Sequence, residues 1–592
     1  MKVVVNRYTN IKNYGLILVA LILSWFLSTE TMQLFHSPLV DSATNPEILS
    51  VFLDIVIIFT LGFTAYELSK STVIPSFVIA IFFGFVSQNA LSFITQNSQA
   101  LSILTTIGAV LILFGGGIET PFARFKNLIG PIISIAFLGT IITGIAFSLV
   151  LAGVNIVFNM SMPVSAIILL GIALASTDPA AIIPSFKSLL FHNPRVKHIA
   201  ISESALNDVV GALITGIFLV LFVGNFTPTS IIDAYWNLLT LENLFEILKV
   251  IVIGVVAGAI GYFILHTWSK WKEKIESDGE ADAALFLAVP LFTYTFAITL
   301  GGNGFLAVFI AGLVFQLRDH IKHVENFFNH TIEGFMKPLI FMLLGTLVNF
   351  QILQQYAVPG IIMAVVFMFV IRPLVVFLTL FPFMKGGHKL SFKELLFLSF
   401  VRETGVIPAV LLVSIKVAGI PGSDIALAIG MWIILLTLII QPPLTPYVAK
   451  LLGVADDMPL FPKQKQRGPL AVLCSRSYTW QQRIDLVVDW AQKNCVENIS
   501  LLYCPEDKYN EKVLMKVQEA ATVRFKSVNA KLRSENKKEL NFCFICRPGT
   551  LESNIKSLVN ENDVSIVFIG SKMLDYRMEI VKSLQVPFIF IE

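Results

Sequence analysis

The feature that most constrains this chain is a long succession of apolar stretches. Residues 13–448 hold about fourteen of them, each near the ~20 residues that a helix needs to cross roughly 30 Å of hydrocarbon. They run approximately 13–28, 48–66, 73–92, 101–117, 128–152, 164–184, 198–224, 244–267, 283–300, 304–318, 334–350, 357–382, 393–417 and 424–448. One soluble core cannot bury so much apolar surface. Of the 592 residues 55% are hydrophobic and 14% charged, against about 25% charged in an average soluble protein. Disordered, collagen-like and disulfide-scaffold classes are excluded by the same figures. A net charge of +3 with no basic stripe excludes a nucleic-acid binder. The fold class that remains is an all-α polytopic membrane domain with the lipid bilayer as its surroundings.

The loops sort by charge. Lys2, Arg7 and Lys12 precede the first stretch, and every second loop afterwards is basic: Lys70; Arg124 and Lys126; Lys187, Arg195 and Lys197; Lys270, Lys272 and Lys274; Arg318 and Lys322; Lys385 and Lys389. Among the intervening loops Lys416 is the exception. The positive-inside rule then puts both termini in the cytoplasm. The first stretch has the flanks of a signal peptide but only Ser28-Thr29-Glu30 as a cleavage site, which favours a retained helix. At Gly301-Gly302-Asn303-Gly304 the pattern predicts a tight hairpin or a broken helix.

A second composition begins near Pro462–Gly468. All five cysteines lie beyond it, as Cys474, Cys495, Cys504, Cys543 and Cys546, which suits a reducing compartment. The expected division is a membrane domain over 1–450, a linker over 451–467 and a cytoplasmic α/β domain over 468–592. Strands are predicted at Leu470–Leu473, Ile499–Tyr503, Phe542–Ile545, Ser565–Ile569 and Phe588–Ile591, with helices near 479–494, 508–528, 550–560 and 573–583. That alternation describes an open parallel sheet. Cys543-x-x-Cys546 invites a redox reading, but residues three apart on a strand face opposite ways.

Ionisable residues inside the apolar stretches cost at least about 2.5 kcal/mol each on insertion scales and need a partner or a function. Asp178, Glu203, Asp208, Arg402 and Glu403 are such residues. Helical steps of about 100° bring Glu203, Ser204, Asn207 and Asp208 into an arc of about 140°. A face of carboxylate, amide and hydroxyl oxygen suits a hard monovalent cation; the plain alternative is polar glue between helices. Ser176-Thr177-Asp178-Pro179 is a good helix cap and start, yet its flanks carry no charge. A cap inside the membrane means a broken helix, with free carbonyls before it and free amides after it. Arg402, followed by Gly405 and Pro408, marks a second break. With segments 2–7 and 9–14 as two inverted six-helix repeats, both breaks fall at the fifth helix of their unit, so that they cross at mid-membrane. Arg402 is then expected to pair with a nearby carboxylate, Glu203 or the adjacent Glu403. Arg372, in Val370-Ile371-Arg372-Pro373, is left between pairing and snorkelling to the inner face.

These residues resemble the NhaP/NHE-type monovalent cation/proton antiporters. The likeness covers nearly all of 48–450: Thr177-Asp178-Pro179 for the family's Thr-Asp-Pro, and Glu203-Ser204 with Asn207-Asp208 for its Glu-Ser-x-x-Asn-Asp. Weaker matches are Gly304–Val308 through Ala311-Gly312, Arg372-Pro373 and Gln441-Pro442. The resemblance implies that Asp208 carries the ion and proton in turn, that Asp178, Thr177 and Ser204 complete the Na⁺ or K⁺ site, and that Glu203 pairs with an arginine. It implies a homodimer in the cell inner membrane, and a transporter with neither enzymatic activity nor a cofactor. It also implies electroneutral exchange, since electrogenic relatives carry a second Asp where this chain has Asn207. The chain departs from the family's Arg-Gly at the second break, where it reads Arg402-Glu403-Thr404-Gly405, and its first helix is an addition. The end of the tail, Val564–Ile591, resembles universal-stress-protein domains, which implies a regulatory role with a small-molecule effector. Na⁺/H⁺ exchange is therefore the expected function, with K⁺/H⁺ exchange on the same fold as the alternative. A gated channel is disfavoured by the absence of a repeated carbonyl filter motif, and a non-transporting sensor is the remaining class.

Overall fold

The computed structural model describes residues 14–25 and 46–591 apart from 71, 73, 121–124, 126–127, 178–185, 187–188, 225, 239, 276–281, 316–331, 385–389, 458–469, 476–479, 494–495, 497, 504–510, 535–536, 538, 547–553, 556–557, 559–563 and 571–587. It divides into two compact units, Met1–Asp456 and Asp457–Glu592.

The first unit is helical. Its elements are α1 (Tyr14–Trp25), α2 (Pro46–Lys70), α3 (Ser76–Val86), α4 (Ser98–Glu119), α5 (Ile129–Val157), α6 (Val164–Ala173), β1 (Leu189–Phe191), α7 (Pro194–Val223), α8 (Leu241–Ile275), α9 (Asp282–Thr299), α10 (Gly304–Val314), α11 (Lys337–Leu347), α12 (Ala357–Met384), α13 (Phe392–Phe400), α14 (Val406–Val417), α15 (Ser423–Leu451) and β2 (Ala455–Asp457). Among the described residues, six helices, α4, α5, α7, α8, α12 and α15, are long and apolar enough to cross a membrane. Helix α2 is also 25 residues long and uninterrupted; the rest are shorter or interrupted, and the interruptions fall where the sequence carries breakers.

Helix starts follow capping chemistry. Asn97 accepts from the Gln99 and Ala100 amides, Asn193 from Arg195, and Ser391 forms a capping box with Glu394. Between α9 and α10 the chain makes a tight hairpin: Asn303 caps α10 by accepting from the Leu306 amide at 2.8 Å, and Tyr294 of α9 packs against Phe305 with ring centroids 5.1 Å apart. The core packs to contact. Gly84 of α3 and Gly345 of α11 face each other at a crossing where an added Cβ on either would run into the other helix's backbone. The outer surface is apolar. Helix α8 is mostly unburied, and its Phe245, Leu248, Val252 and Phe263 are exposed. A surface of this kind is stable against lipid, not water.

The second unit is an α/β layer. Strands β3 (Leu470–Ser475), β4 (Asn498–Tyr503), β5 (Asn541–Cys546), β6 (Val564–Gly570) and β7 (Phe588–Ile591) form one sheet in the order β5-β4-β3-β6-β7, all pairs parallel. Helices α16 (Trp480–Lys493) and α17 (Glu511–Ser534) are the crossovers that a parallel sheet requires. Ile484, Val487, Ala491, Leu473, Ile499, Leu501 and Phe568 form its core. The helix expected over 573–583 lies outside the described residues, as does most of the one over 550–560. No disulfide joins Cys543 and Cys546. Burial pushes the Cys543 thiol up, partly offset by a hydrogen bond with Ser500.

Candidate ion site at two broken helices

The second expected break is present with helix on both sides, and at the first the helix stops where expected, as far as the described residues run. Helix α6 stops at Ala173, and Ser176 and Thr177 are no longer helical. Helices α13 and α14 are separated by the non-helical stretch 401–405, with Val401 and Gly405 in extended backbone. Asp178 and Pro179 lie outside the described residues.

Helix α7 brings its polar arc into the protein interior. Glu203, Ser204 and Asn207 are each 2% exposed and Asp208 4%. The end of α6 is fastened onto that arc. The Thr177 amide donates to Asn207 Oδ1 at 3.1 Å, Asn207 Nδ2 donates to Thr177 Oγ1 at 2.8 Å, and the Thr177 and Ser204 hydroxyls share a hydrogen bond of 2.9 Å. Both ends of the Asn207 amide are thus engaged by one residue, which holds the chain leading to Asp178 against the face bearing Asp208. Gly211, one turn further along α7, makes room for this approach: a Cβ there would sit 3.1 Å from that of Ser176.

The arginines divide their work differently from the expectation. Glu203 pairs with Arg372, not with Arg402. Arg372 Nη1 donates to Glu203 Oε1 at 2.7 Å and Nη2 to Oε2 at 2.9 Å, a bidentate fork with both side chains 2% exposed. Nη2 also donates to the Leu398 carbonyl at 3.2 Å. Arg372 therefore does not snorkel. It follows a wide π-type turn, Phe367–Ile371, placed just before Pro373, where an ordinary helical turn would set the proline ring against a carbonyl.

Arg402 reaches across to the other break. Its Nη2 donates to the Ala175 carbonyl and, at 3.4 Å, to that of Leu174, while Nη1 donates to Thr143 Oγ1 at 3.4 Å. Its guanidinium carbon lies 4.8 Å from the Phe367 ring centroid. The physical reason is the break itself. A helix that stops inside the protein leaves carbonyls without amides, and a cation at that C-terminal end satisfies them and the helix dipole together. Each break thus has a guanidinium on its carbonyl end: Arg402 at Leu174 and Ala175, Arg372 at Leu398.

The second break is also held from α15. Gln441 Nε2 donates to the Phe400 carbonyl at 2.8 Å, and the Thr404 amide donates to Thr437 Oγ1 at 3.4 Å. Glu403 is wholly buried within this stretch. The sequence singled out Gln441 only as part of a Gln-Pro pair; Thr437, one turn before it, carried no signal beyond being a polar residue in an apolar run. Arg372 did carry one. It lies about ten residues from the inner end of its segment, some 15 Å deep at about 1.5 Å per residue, too far for its side chain to reach water.

Residues 55–451 match the family profile described as "Sodium/hydrogen exchanger, transmembrane". The K(+)/H(+) antiporter NhaP of Alkalimonas amylolytica is 26% identical over 402 residues, which cover 66% of this chain and 64% of that protein. The chain thus spans just under two thirds of that relative's length. The Na(+)/H(+) antiporter 1 of Methanocaldococcus jannaschii is 30% identical over 378 residues, covering 62% of this chain and 83% of that protein. The solved structure of the sodium proton antiporter MjNhaP1 from Methanocaldococcus jannaschii at pH 8 superposes with a TM-score of 0.55 at 24% identity, over 69% of this chain and 99% of that one. With its broken helices, its Glu-Ser-x-x-Asn-Asp face and a family match over two thirds of its length, the chain belongs to the sodium/hydrogen exchanger family.

Proposed function

We propose that this protein is a secondary antiporter that exchanges Na⁺ for H⁺ by alternating access around one site at the two breaks. The observation that carries the reading is the fastening of Thr177 to Ser204 and Asn207, which sets the chain leading into Asp178 beside the buried Asp208. Asp208 binds the cation or the proton but not both, and Asp178, Thr177 and Ser204 supply the remaining oxygens. Glu203 is neutralised by Arg372 and Arg402 is committed to carbonyls, so neither competes for the transported charge. One carboxylate that alternates between one cation and one proton moves no net charge, which makes the exchange electroneutral; Asn207 cannot load a second proton. Both termini face the cytoplasm, and the protein works as a homodimer in the cell inner membrane. Residues 1–450 form the transport domain. Beyond a linker over 451–467, residues 468–592 form a regulatory domain of universal-stress-protein type that answers to a small-molecule effector.

Relatives named as K(+)/H(+) antiporters favour K⁺ as the second substrate to test. In proteoliposomes of the purified protein, dequenching of a pH dye on adding Na⁺, K⁺ or Li⁺ in turn reads the substrate. Repeating the Na⁺ series under a valinomycin clamp reads the stoichiometry. Electroneutral exchange gives rates that do not change with membrane potential, whereas each net charge would feel about 2.3 kcal/mol per 100 mV. No proton flux with any of the three cations refutes the antiporter reading, and a sustained potential dependence refutes the one-for-one cycle.

A further inference from the structure

A small two-stranded strap lies at one end of the helical unit, away from the ion site. Strand β1 pairs with β2, and the His192 amide donates to the Val454 carbonyl at 3.0 Å. The His192 ring is held at both nitrogens: Nδ1 lies 3.1 Å from the Gly453 carbonyl oxygen and Nε2 2.8 Å from Asp456 Oδ2. Both partners are acceptors. A neutral imidazole has one N–H and so can satisfy one of them; the doubly protonated ring satisfies both. The closed strap therefore holds one proton more than a neutral ring and an ionised Asp456 would bring. His192 and Asp456 are about half exposed, so solvent protons reach them.

What the strap joins makes that proton consequential. His192 directly precedes Asn193, the cap of α7, and α7 bears Glu203, Ser204, Asn207 and Asp208. Gly453–Asp456 directly follow α15, whose Thr437 and Gln441 hold the second break. Phe191 of β1 stacks edge-on against Phe397 of α13 at 5.7 Å. The other titratable or charged residues near this end of the elements that meet here are Asp457 on β2, Lys450 at the end of α15, Arg195, Lys197 and His198 at the start of α7, and Lys393 and Glu394 at the start of α13. The carboxylates favour the ring's proton, and the cations oppose it.

We propose that the His192–Asp456 strap is a proton-operated brake on transport. An unperturbed imidazole titrates near about 6.5. The closed form binds the extra proton, so it is stabilised at acid pH and lost as pH rises through the ring's titration. Closed, it ties the start of the site helix to the end of the helix that supports the second break. Open, it frees both ends for the movement that alternating access requires. The braking role rests on the exchange reading above; the proton-dependent opening does not.

The test uses the full-length protein in proteoliposomes, with the wild type compared with His192→Gln and Asp456→Asn. Two readouts are taken between about pH 6 and pH 8, a range that brackets the ordinary imidazole titration. Hydrogen–deuterium exchange at peptides covering 189–192 and 453–457 reads the strap itself. In the wild type, protection there should fall with pH beyond the intrinsic chemical dependence, and both variants should be deprotected at the acid end. Cation-driven proton flux reads the brake. Both variants should run at least about threefold faster than wild type at the acid end and converge with it at the alkaline end. Unchanged protection in both variants overturns the switch. Altered protection with superimposable flux profiles overturns the brake. Loss of all flux in the wild type while the protection change remains overturns the exchange reading and leaves the switch standing.

Discussion

The Glu203–Arg372 pair offers the sharpest test of how the site is held. Its two charges are bridged by bonds of 2.7 and 2.9 Å with both side chains 2% exposed. At an effective dielectric constant of about 20, unit charges about 4 Å apart attract by roughly 4 kcal/mol. Arg372→Gln removes that attraction, leaves the Glu203 carboxylate buried without its counter-charge and frees the Leu398 carbonyl. Breaking a buried pair from one side costs about 3–5 kcal/mol, and Glu203→Gln should cost a similar amount by stranding the guanidinium. The double change Glu203→Gln with Arg372→Gln strands neither charge, so it should fall short of the sum of the single losses by about 2 kcal/mol or more. Unfolding of the purified protein in mixed micelles, followed by tryptophan fluorescence across a denaturing-detergent series, gives the four stabilities of the cycle. A parallel cycle with Glu203→Gln and Arg402→Gln should show a smaller coupling, because Arg402 gives its hydrogen bonds to the Leu174 and Ala175 carbonyls and to Thr143 and feels Glu203 only through space. Additivity in the first cycle, or a larger coupling in the second, would falsify the assignment of the pair.

Asp208→Asn should abolish cation-driven proton flux in proteoliposomes while leaving expression and the unfolding midpoint near wild type, because an amide supplies neither a charge nor a titrating proton; wild-type flux would end the mechanism. Deleting 465–592 should preserve flux and change its dependence on pH or effector, and a truncated protein that inserts but shows no flux under any condition would make the tail part of the transport machinery. Cys543, whose thiol is pushed up by burial, should react with iodoacetamide more slowly than a free thiol of ordinary pKa about 8.5, with the rate rising only at more alkaline pH. Mass spectrometry of the native protein reads this, and labelling as fast as that of a model thiol contradicts it.

Much of this architecture is written in single residues. The stop after Ala173 was legible because Asp178-Pro179 has the sequence of a cap within an uncharged apolar run, and the break after Phe400 because Arg402, Gly405 and Pro408 cluster in mid-span. The polar arc of α7 was legible from helical spacing alone, as were the five strands of the tail from their apolar runs. The pairing of the arginines was not. Arg372 and Arg402 are chemically the same, and both lie deep in their segments. What separates them is where free carbonyls point, which depends on how α6 and α13 end in space. The strap between His192 and Asp456, 264 positions apart, was illegible for a similar reason: strands of three residues have no periodicity to detect.

The bond from Arg402 to the Ala175 carbonyl also bears on the order in which the molecule is made. The two residues are 227 positions apart. A ribosome adding 5–20 residues per second needs roughly 11–45 s to cover that distance. Through that interval the end of α6 is already synthesised, yet the side chain that closes its carbonyls does not exist. Water or a translocon surface must shield them until the thirteenth apolar segment arrives. The first half of the chain is therefore an unfinished object whatever its own helices can do, and its completion is a late event. Nascent chains arrested shortly before residue 402 should leave the region around 174–177 open to cysteine-directed labelling, and chains arrested some tens of residues beyond it should protect it.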